Sequence, residues 1–481
     1  MNPSTWIGRS VSRLLPSLPA AGKKPAAALN AAQPPARSLG ERLKATLRQE
    51  GEALSPRLLR RSLEALQAII DPQVSEVEGG RRAMALADWY ATAPVGQRQD
   101  VWLLMSEQFL ADSEKSRVAQ ARLAAAVGTP EQAVAEVHFR RATVSPRRRL
   151  LQRFSVYPGG IEFLVGLRAD ILPFLKTDKR LLALDVEMEY MFSTWFDVGF
   201  LDLQRISWDS PASLIEKLIQ YEAVHDIKSW SDVKNRLDSD RRCYGFFHPR
   251  LPGVPLIFVE VALVDEMVSH IEPLLDESAA TADLGKATTA IFYSISNTQA
   301  GLRGVSFGDS LIKRVVETLK QEFPKLRTFA TLSPIPGFKS WLGRHAGAML
   351  DKLDDKSRAA LERAIAPEPL SAGTFLTATG GALALGEKSP VRLLLLQSAA
   401  HYLGQVLKDG KPLDPVARFH LGNGARIERL NWAGDPSPKG LGQSYGLMVN
   451  YLYDLKRLDK HRALLAQGKI PVAGAIDSLF L

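Results

Sequence analysis

The chain has 481 residues, 46% hydrophobic and 23% charged, a composition that fits a folded protein of roughly two to four domains and excludes a disordered or fibrous one. Its formal net charge of +9 is gathered at one end: residues 1–40 hold five Lys or Arg and no acid, leaving +4 over the other 441 residues, too little to mark the remainder as a nucleic-acid binder. A single cysteine, Cys243, excludes an intrachain disulfide framework and a cysteine-based zinc site, and the apolar run "VPLIFVEVALV" (254–264) is too short to span a bilayer.

In chain order, residues 1–40 are rich in Ala, Pro and Ser and read as a disordered basic tail, with a targeting segment as the alternative because "WIGRSVSRLL" opens amphipathically. From 41 to 205, apolar residues spaced by three and four predict helices throughout. "ERLKATLRQEG" ends on a capping glycine, and "SPRLLRRSLEALQAII" opens on a capping serine followed by proline. "GRRAMALADWYATA", "GQRQDVWLLMSEQFL" and "SEKSRVAQARLAAAV" come next, and "KRLLALDVEMEYMFSTWF" (179–196) is a longer helix leading onward. This region carries no catalytic pattern, so scaffolding or oligomerisation is its expected role. Its six-arginine stretch "RRATVSPRRRLLQR" (140–153) reads as a solvated helix end or domain surface, ahead of a phosphate-binding patch or an oligomer contact.

From 206 to 481 the pattern changes. Strands are predicted at "CYGFFH" (243–248), 254–264, "TTAIFYSIS" (288–296) and "RTFATLS" (327–333). Helices are predicted at "SLIEKLIQYEAV", "GDSLIKRVVETLKQEF", "SPVRLLLLQSAAHYLGQVL" and "SYGLMVNYLYDLKRL". The fold class is therefore α+β, a helical bundle followed by an α/β domain.

Three stretches in this second region could carry chemistry. In "IFYSISNTQAGLRGVSFGDSLIKRVVETL" (291–319) a buried strand runs through Gly301, Gly304 and Gly308 into an amphipathic helix. Glycines permit close backbone approach and a helix start offers free N–H groups, a setting for a phosphate, although glycine turns of this kind are common without one. Arg303 stands beside the loop; the spacing is neither Walker A nor GxGxxG. In "FATLSPIPGF", Ser333 ends a strand and two prolines stiffen the backbone after it. In "RFHLGNGARIERLNWAGDPSPKGLGQSYGLMVNYLYDL", His420 lies in an apolar–polar alternation and is suited to proton transfer. The histidines form no HxH or HExxH pair, so no metal site is expected.

Together "SISNTQAGLRGVSFGDSLIKRVV", "FATLSPIPGF", "HLGNGARIERLNWAGDPSPKGLGQSYGLMVNYLYDL" and "FFHPRLPGVPLIFVEVAL" resemble the malonyl-CoA decarboxylase family over most of 244–455. The resemblance implies a helical N-terminal domain followed by a GNAT-like acyltransferase-type domain in which a strand–loop–helix element holds the CoA pyrophosphate. It implies Ser333 and His420 as the catalytic pair, with Tyr453 near them on the last predicted helix. It implies malonyl-CoA contacts from Arg303, Gly304, Val305, Ser306, Phe307, Gly308 and Asp309, along with Ser333 and His420. Some relatives carry a glutamate where this chain has Ser306, so no carboxylate acts there.

The expected activity is conversion of malonyl-CoA to acetyl-CoA and CO2 through a thioester enolate, with no cofactor, no metal, no nucleic-acid partner and no membrane. Ser333 and His420 would orient the carboxylate and reprotonate the carbon, and backbone N–H groups of 292–296 or 303–309 would hold the enolate oxygen. A homotetramer in the cytoplasm is expected, with the mitochondrial matrix as the alternative compartment. Competing readings are a GNAT-type acyl-CoA acyltransferase and a non-enzymatic acyl-CoA-binding or nucleic-acid-binding protein.

Overall fold

The computed structural model describes residues 53–305 and 310–481; the predicted tail, the helix at 41–51 and Ser306 to Asp309 lie outside the described residues. Two compact units are formed, one from the residues up to Tyr157 with Asp170–Glu187, the other from Pro158–Ala169 and Met188–Leu481.

The first unit is helical. Its helices run Pro56–Ile69, Glu76–Thr92, Val95–Glu107, Ser113–Ala126, Gln132–Thr143 and Pro146–Phe154. Ser55 caps the first through Leu58 N–H, with Pro56 in the first turn as predicted, and Ser75 caps the second through Glu78 N–H. Each such cap is worth about 1 kcal/mol. Leu66, Ile69, Trp102, Leu103, Leu150, Leu151 and Phe154 are fully buried, and the Trp102 indole donates to Tyr90 Oη at 2.7 Å. The arginine-rich stretch divides: Arg140, Arg141 and Arg149 are exposed, as expected of a solvated surface, and the other three brace the interior. Buried Arg147 donates to Met105 O at 3.0 Å, to Ala183 O at 3.2 Å and to Ser106 O. Arg153 pairs with Glu76 at 2.9 Å and Arg148 with Glu187 at 2.6 Å.

The second unit is built on a mixed sheet. Its strands are β1 (Asp202–Ile206), β2 (Arg241–Phe247), β3 (Pro255–Val264), β4 (Thr289–Asn297), β5 (Thr328–Thr331) and β6 (Ser333–Pro334). A separate two-stranded ribbon is formed by β7 (Leu407–Lys408) and β8 (Lys411–Pro412), and β9 (Arg426–Asn431) and β10 (Met448–Leu452) complete the main sheet. The order is β1-β2-β3-β4-β5-β10-β6, with β9 also on β10. All pairs are antiparallel except β4 with β5. The expected α+β class, helices first and a mixed sheet with helices after, holds.

β2 and β3 are buried along almost their whole length, so their continuous apolar runs signalled strands correctly. One core packs Ala262, Ile291, Tyr293, Ala330, Leu332 and Met448; another packs Ile206, Ile215, Leu218, Cys243, Phe247 and Phe258.

Two local expectations are corrected. "SYGLMVNYLYDLKRL" is not a helix: Tyr445 and Gly446 take positive φ after a short helix ending at Ser444, and β10 comes next, with Val449 and Tyr451 alternating against Met448 and Asn450. His420 is not on an alternating strand but in the last turn of the helix Pro415–Gly422, which Asp414 caps through Val416 and Ala417 N–H with Pro415 at its first position.

Candidate active site

β4 and β5 pair in parallel only from Thr289 opposite Thr328 to Phe292 opposite Thr331. Beyond Phe292, β4 continues to Asn297 without β5 beside it, so the sheet opens there. On the other side of the opening the chain breaks regular pairing at Leu332, whose N–H still reaches Phe292 O at 3.0 Å, and Ser333 then pairs with Val449. Side chains replace ladder bonds across this break. Asn450 Nδ2 donates to Thr331 O at 2.6 Å, and Tyr451 N–H donates to Thr331 Oγ1 at 3.1 Å. Asn450 is itself fixed by Arg429 Nε and Asn431 Nδ2 on its Oδ1, at 2.7 and 2.8 Å. Pro334 sits opposite Met448 on a two-residue strand at the end of the order, where a missing N–H costs no ladder bond.

The helix Pro415–Gly422 delivers His420 to this point. Asn423 caps its end, Gly424 turns the chain at φ +86°, and Ala425 N–H closes onto His420 O at 3.1 Å. A side chain on Gly424 would also meet the Leu458 carbonyl at 2.8 Å. The imidazole lies over the Tyr451 ring, centroids 4.7 Å apart and planes 26° from parallel. Tyr453 comes after β10 on the same alternation as Tyr451, its N–H bonded to Phe329 O at 2.9 Å and its ring edge-on to Phe292.

The three predicted residues meet. Ser333 Oγ is 3.3 Å from His420 Nε2, and His420 Nδ1 is 2.7 Å from Tyr453 Oη. Ser333 donates its proton to Thr331 Oγ1 at 2.9 Å, which leaves a lone pair for the imidazole. That choice assigns the histidine proton to Nε2 and makes Nδ1 the acceptor of the tyrosine hydroxyl. Ser333 and His420 are 5% and 3% exposed, so a reactant reaching them leaves water behind. Burial holds His420 neutral, its pKa pushed down to about 3, and raises that of Tyr453 well above the usual phenol value.

Arg303 and Gly304 are exposed on the turn after β4, with Gly304 at φ +88°, and Val305 is buried. Among the described residues no hydrogen bond or ion pair joins them to the Ser333–His420–Tyr453 line; Ser306, Phe307, Gly308 and Asp309 lie outside the description. Thr331 and Asn450 were not singled out by sequence. The signal for Thr331 was its place two residues before Ser333 on one strand face. No group of three or more His, Cys, Asp or Glu among the described residues could hold a metal.

A second buried histidine, His225, is pushed down to about 4 by burial, and its Nε2 has no hydrogen-bond partner among the described residues. Unfolding frees both imidazoles to bind protons at their ordinary value near 6.5. The unfolded chain therefore gains protons first as pH falls below 6.5, and stability drops from there towards pH 4. At pH 5 each histidine contributes a loss of about 2 kcal/mol relative to pH 7. The melting temperature is expected to fall over pH 7 to 5, and His225→Gln should flatten that slope; an unchanged slope would show that His225 is protonated in the folded state.

Residues 199–481 match the family model "Malonyl-CoA decarboxylase C-terminal domain" and 109–196 match "Malonyl-CoA decarboxylase N-terminal domain". The chain is similar to mitochondrial malonyl-CoA decarboxylase of Anser anser anser, 35% identical over 441 residues, covering 87% of this chain and 86% of that one. It is 40% identical to the enzyme of that name from Rattus norvegicus over 337 residues, 67% of this chain and 68% of that one. Among solved structures it is similar to malonyl-CoA decarboxylase from Rhodopseudomonas palustris, with TM-score 0.76 and 40% identity over 87% of this chain and 99% of that one. The Cupriavidus metallidurans structure of the same name gives TM-score 0.71 and 43% identity over 88% and 100%.

Proposed function

The chain belongs to the malonyl-CoA decarboxylase family, whose carboxy-lyase reaction yields acetyl-CoA and CO2, and we propose that Ser333, His420 and Tyr453 serve the reacting end of malonyl-CoA. The observation that carries this reading is the hydrogen-bonded line from Tyr453 through His420 to Ser333, set where β4 and β5 part.

Breaking the bond to the malonyl carboxylate sends its electron pair into the thioester carbonyl, giving CO2 and an enolate. Backbone N–H groups of β4 beyond Phe292 stabilise the enolate oxygen; in the turn that follows, the Arg303 and Val305 N–H groups already donate to Ala300 O and Leu302 O. The carbon takes a proton from the Ser333 hydroxyl, His420 Nε2–H restores the serine, and Tyr453 supplies Nδ1. One proton from water per turnover refills the line, which balances the hydrogen gained by the methyl group. His420 thus passes a proton on instead of storing one, because burial keeps it neutral. The turn at Arg303, Gly304 and Val305 opens the segment that receives the CoA phosphates, with Ser306, Phe307, Gly308 and Asp309 completing it.

Incubation with malonyl-CoA in D2O without an acceptor is expected to release CO2 and acetyl-CoA in equal amounts, the methyl group carrying solvent deuterium. An acyltransferase would release no CO2 under these conditions, and that result would overturn the reading. Tyr453→Phe is expected to lower kcat about tenfold while leaving KM near its original value, since only the proton supply to Nδ1 is lost. Equal loss in KM would mark the tyrosine as a binding group instead.

No helix among the described residues is long and apolar enough to cross a membrane. Self-association, with a homotetramer as the expected state, is supported by the hairpin of helices Ser113–Ala126 and Gln132–Thr143, which buries Ala119, Ala126 and Ala135 and leaves Val118, Val134 and Val137 exposed. The buried free thiol of Cys243 suits the cytoplasm, with the mitochondrial matrix as the alternative. Sedimentation and tail-dependent import test these two assignments.

A further inference from the structure

The helix Gly160–Ile171 carries Arg168, whose side chain is 1% exposed although it bears a full charge. Such burial is costly unless every donor is used. One guanidinium nitrogen donates to both Gly301 O, at 2.9 Å, and Arg303 O, at 2.8 Å; another pairs with Glu189 at 3.0 Å. These two carbonyls belong to the turn that leaves β4, and the residue after them is Gly304, at φ +88°. The same helix touches the turn again three residues earlier. A Cβ on Gly301 would collide with the Val165 carbonyl, so the turn lies directly on the helix backbone. The Glu189 carboxylate stands 3.4 Å from where a Cβ on Gly304 would lie. One planar guanidinium therefore ties together both carbonyls of the turn and the carboxylate beside its positive-φ glycine.

We propose that Arg168 is a positioning residue for the nucleotide half of the substrate: it fixes the turn from Gly301 to Gly304, and with it the Arg303 side chain and the backbone that meet the pyrophosphate of a CoA thioester. This rests on the reading that the turn receives the CoA phosphates. The geometry explains why the charge is worth burying. A fork donor can hold two carbonyls and a carboxylate in one plane, which a lysine ammonium cannot do with the same fixed angles. It also assigns a substrate-facing duty to a helix that precedes the sheet in the chain.

The test compares two substrates in the full-length chain. Malonyl-CoA has the pyrophosphate and adenosine; malonyl-N-acetylcysteamine has the same reacting thioester and neither of those. Arg168→Met is expected to raise KM for malonyl-CoA on the order of 10- to 100-fold, the scale of lost hydrogen bonds to a charged group, with kcat held within about threefold. For malonyl-N-acetylcysteamine kcat/KM is expected to stay within about twofold, because nothing in it meets the turn. Arg168→Lys should recover part of the loss, and Glu189→Gln should show a smaller rise in the same direction; both are read in the same way if Arg168→Met does not fold. Equal loss on the two substrates, or a loss confined to kcat, would show that Arg168 is only a structural brace and overturn the proposal. Gly304→Val separates the two readings. If it discriminates between the substrates and the Arg168 and Glu189 variants do not, the positioning role alone fails. If it serves both substrates equally, the turn does not meet the nucleotide, and the proposal falls with that reading.

Discussion

His420→Asn is expected to lower kcat by ~10²-fold or more while malonyl-CoA still binds. Asparagine keeps hydrogen-bonding capacity and approximate bulk, so the stack on Tyr451 and the helix end can survive. It cannot take a proton from Tyr453 on one atom and give one to Ser333 from another. The pH dependence is part of the expectation. A histidine at its ordinary value would make the wild-type rate fall as pH drops through 6.5. Here burial pushes the group down to about 3, so the neutral form persists and the wild-type kcat should stay level from pH 8 to about 5, above the onset of unfolding. A kcat that titrates near 6.5 in the folded wild type, or a folded variant with near-normal kcat, would show that His420 does not relay the proton as a neutral base.

Ser333→Ala should also lower kcat by at least about 10²-fold, with KM changed little, because the hydroxyl is proposed to act on the carbon and not on the nucleotide. The variant should keep its fold. Pairing of Ser333 with Val449 is made by backbone, and Thr331 remains held by Asn450 and by Tyr451 N–H. Among the described residues the hydroxyl makes two hydrogen bonds, to Thr331 and His420, so its loss should cost no more than about 1–3 kcal/mol of stability. Near-normal turnover with a lower melting temperature would reduce Ser333 to a turn-bracing residue. Threonine at 333 is a useful companion, since it retains the hydroxyl while adding a methyl group in a site already closed to water.

The central strands were legible because they are buried on both faces and therefore continuously apolar. β1 and β9 were not. β1 is an exposed edge, and β9 carries Arg426, Glu428 and Arg429 on half-buried positions, so neither shows the apolar signal that marks a strand. β10 was misread because its leucines and tyrosines recur at spacings that also suit a helix; the positive φ at Tyr445 and Gly446 decides for a turn into a strand, and tyrosine gives no warning of that conformation. Ser333 and His420 stood out through residue type and family resemblance. Their supports did not, since Thr331 and Asn450 act through hydrogen bonds between elements far apart in sequence, 119 residues in the case of Asn450 Nδ2 and Thr331 O. Arg168 was invisible for the same reason: its partners lie 133 and 135 positions away.

Cys243 lies in β2 between Ile206 and Glu260, 1% exposed, with its thiol pushed well above the ordinary value by burial. An alkylating reagent needs the thiolate and an open path, and the folded chain offers neither. The single thiol is thus a native clock on the sheet. Its labelling rate in the absence of denaturant reports how often β1 and the helix Ala212–Tyr221 lift away from β2, without any engineered probe. If saturating CoA thioester slows that labelling, ligand binding and the integrity of the sheet around β2 share one cooperative unit. If it does not, the strands around Cys243 open independently of ligand binding.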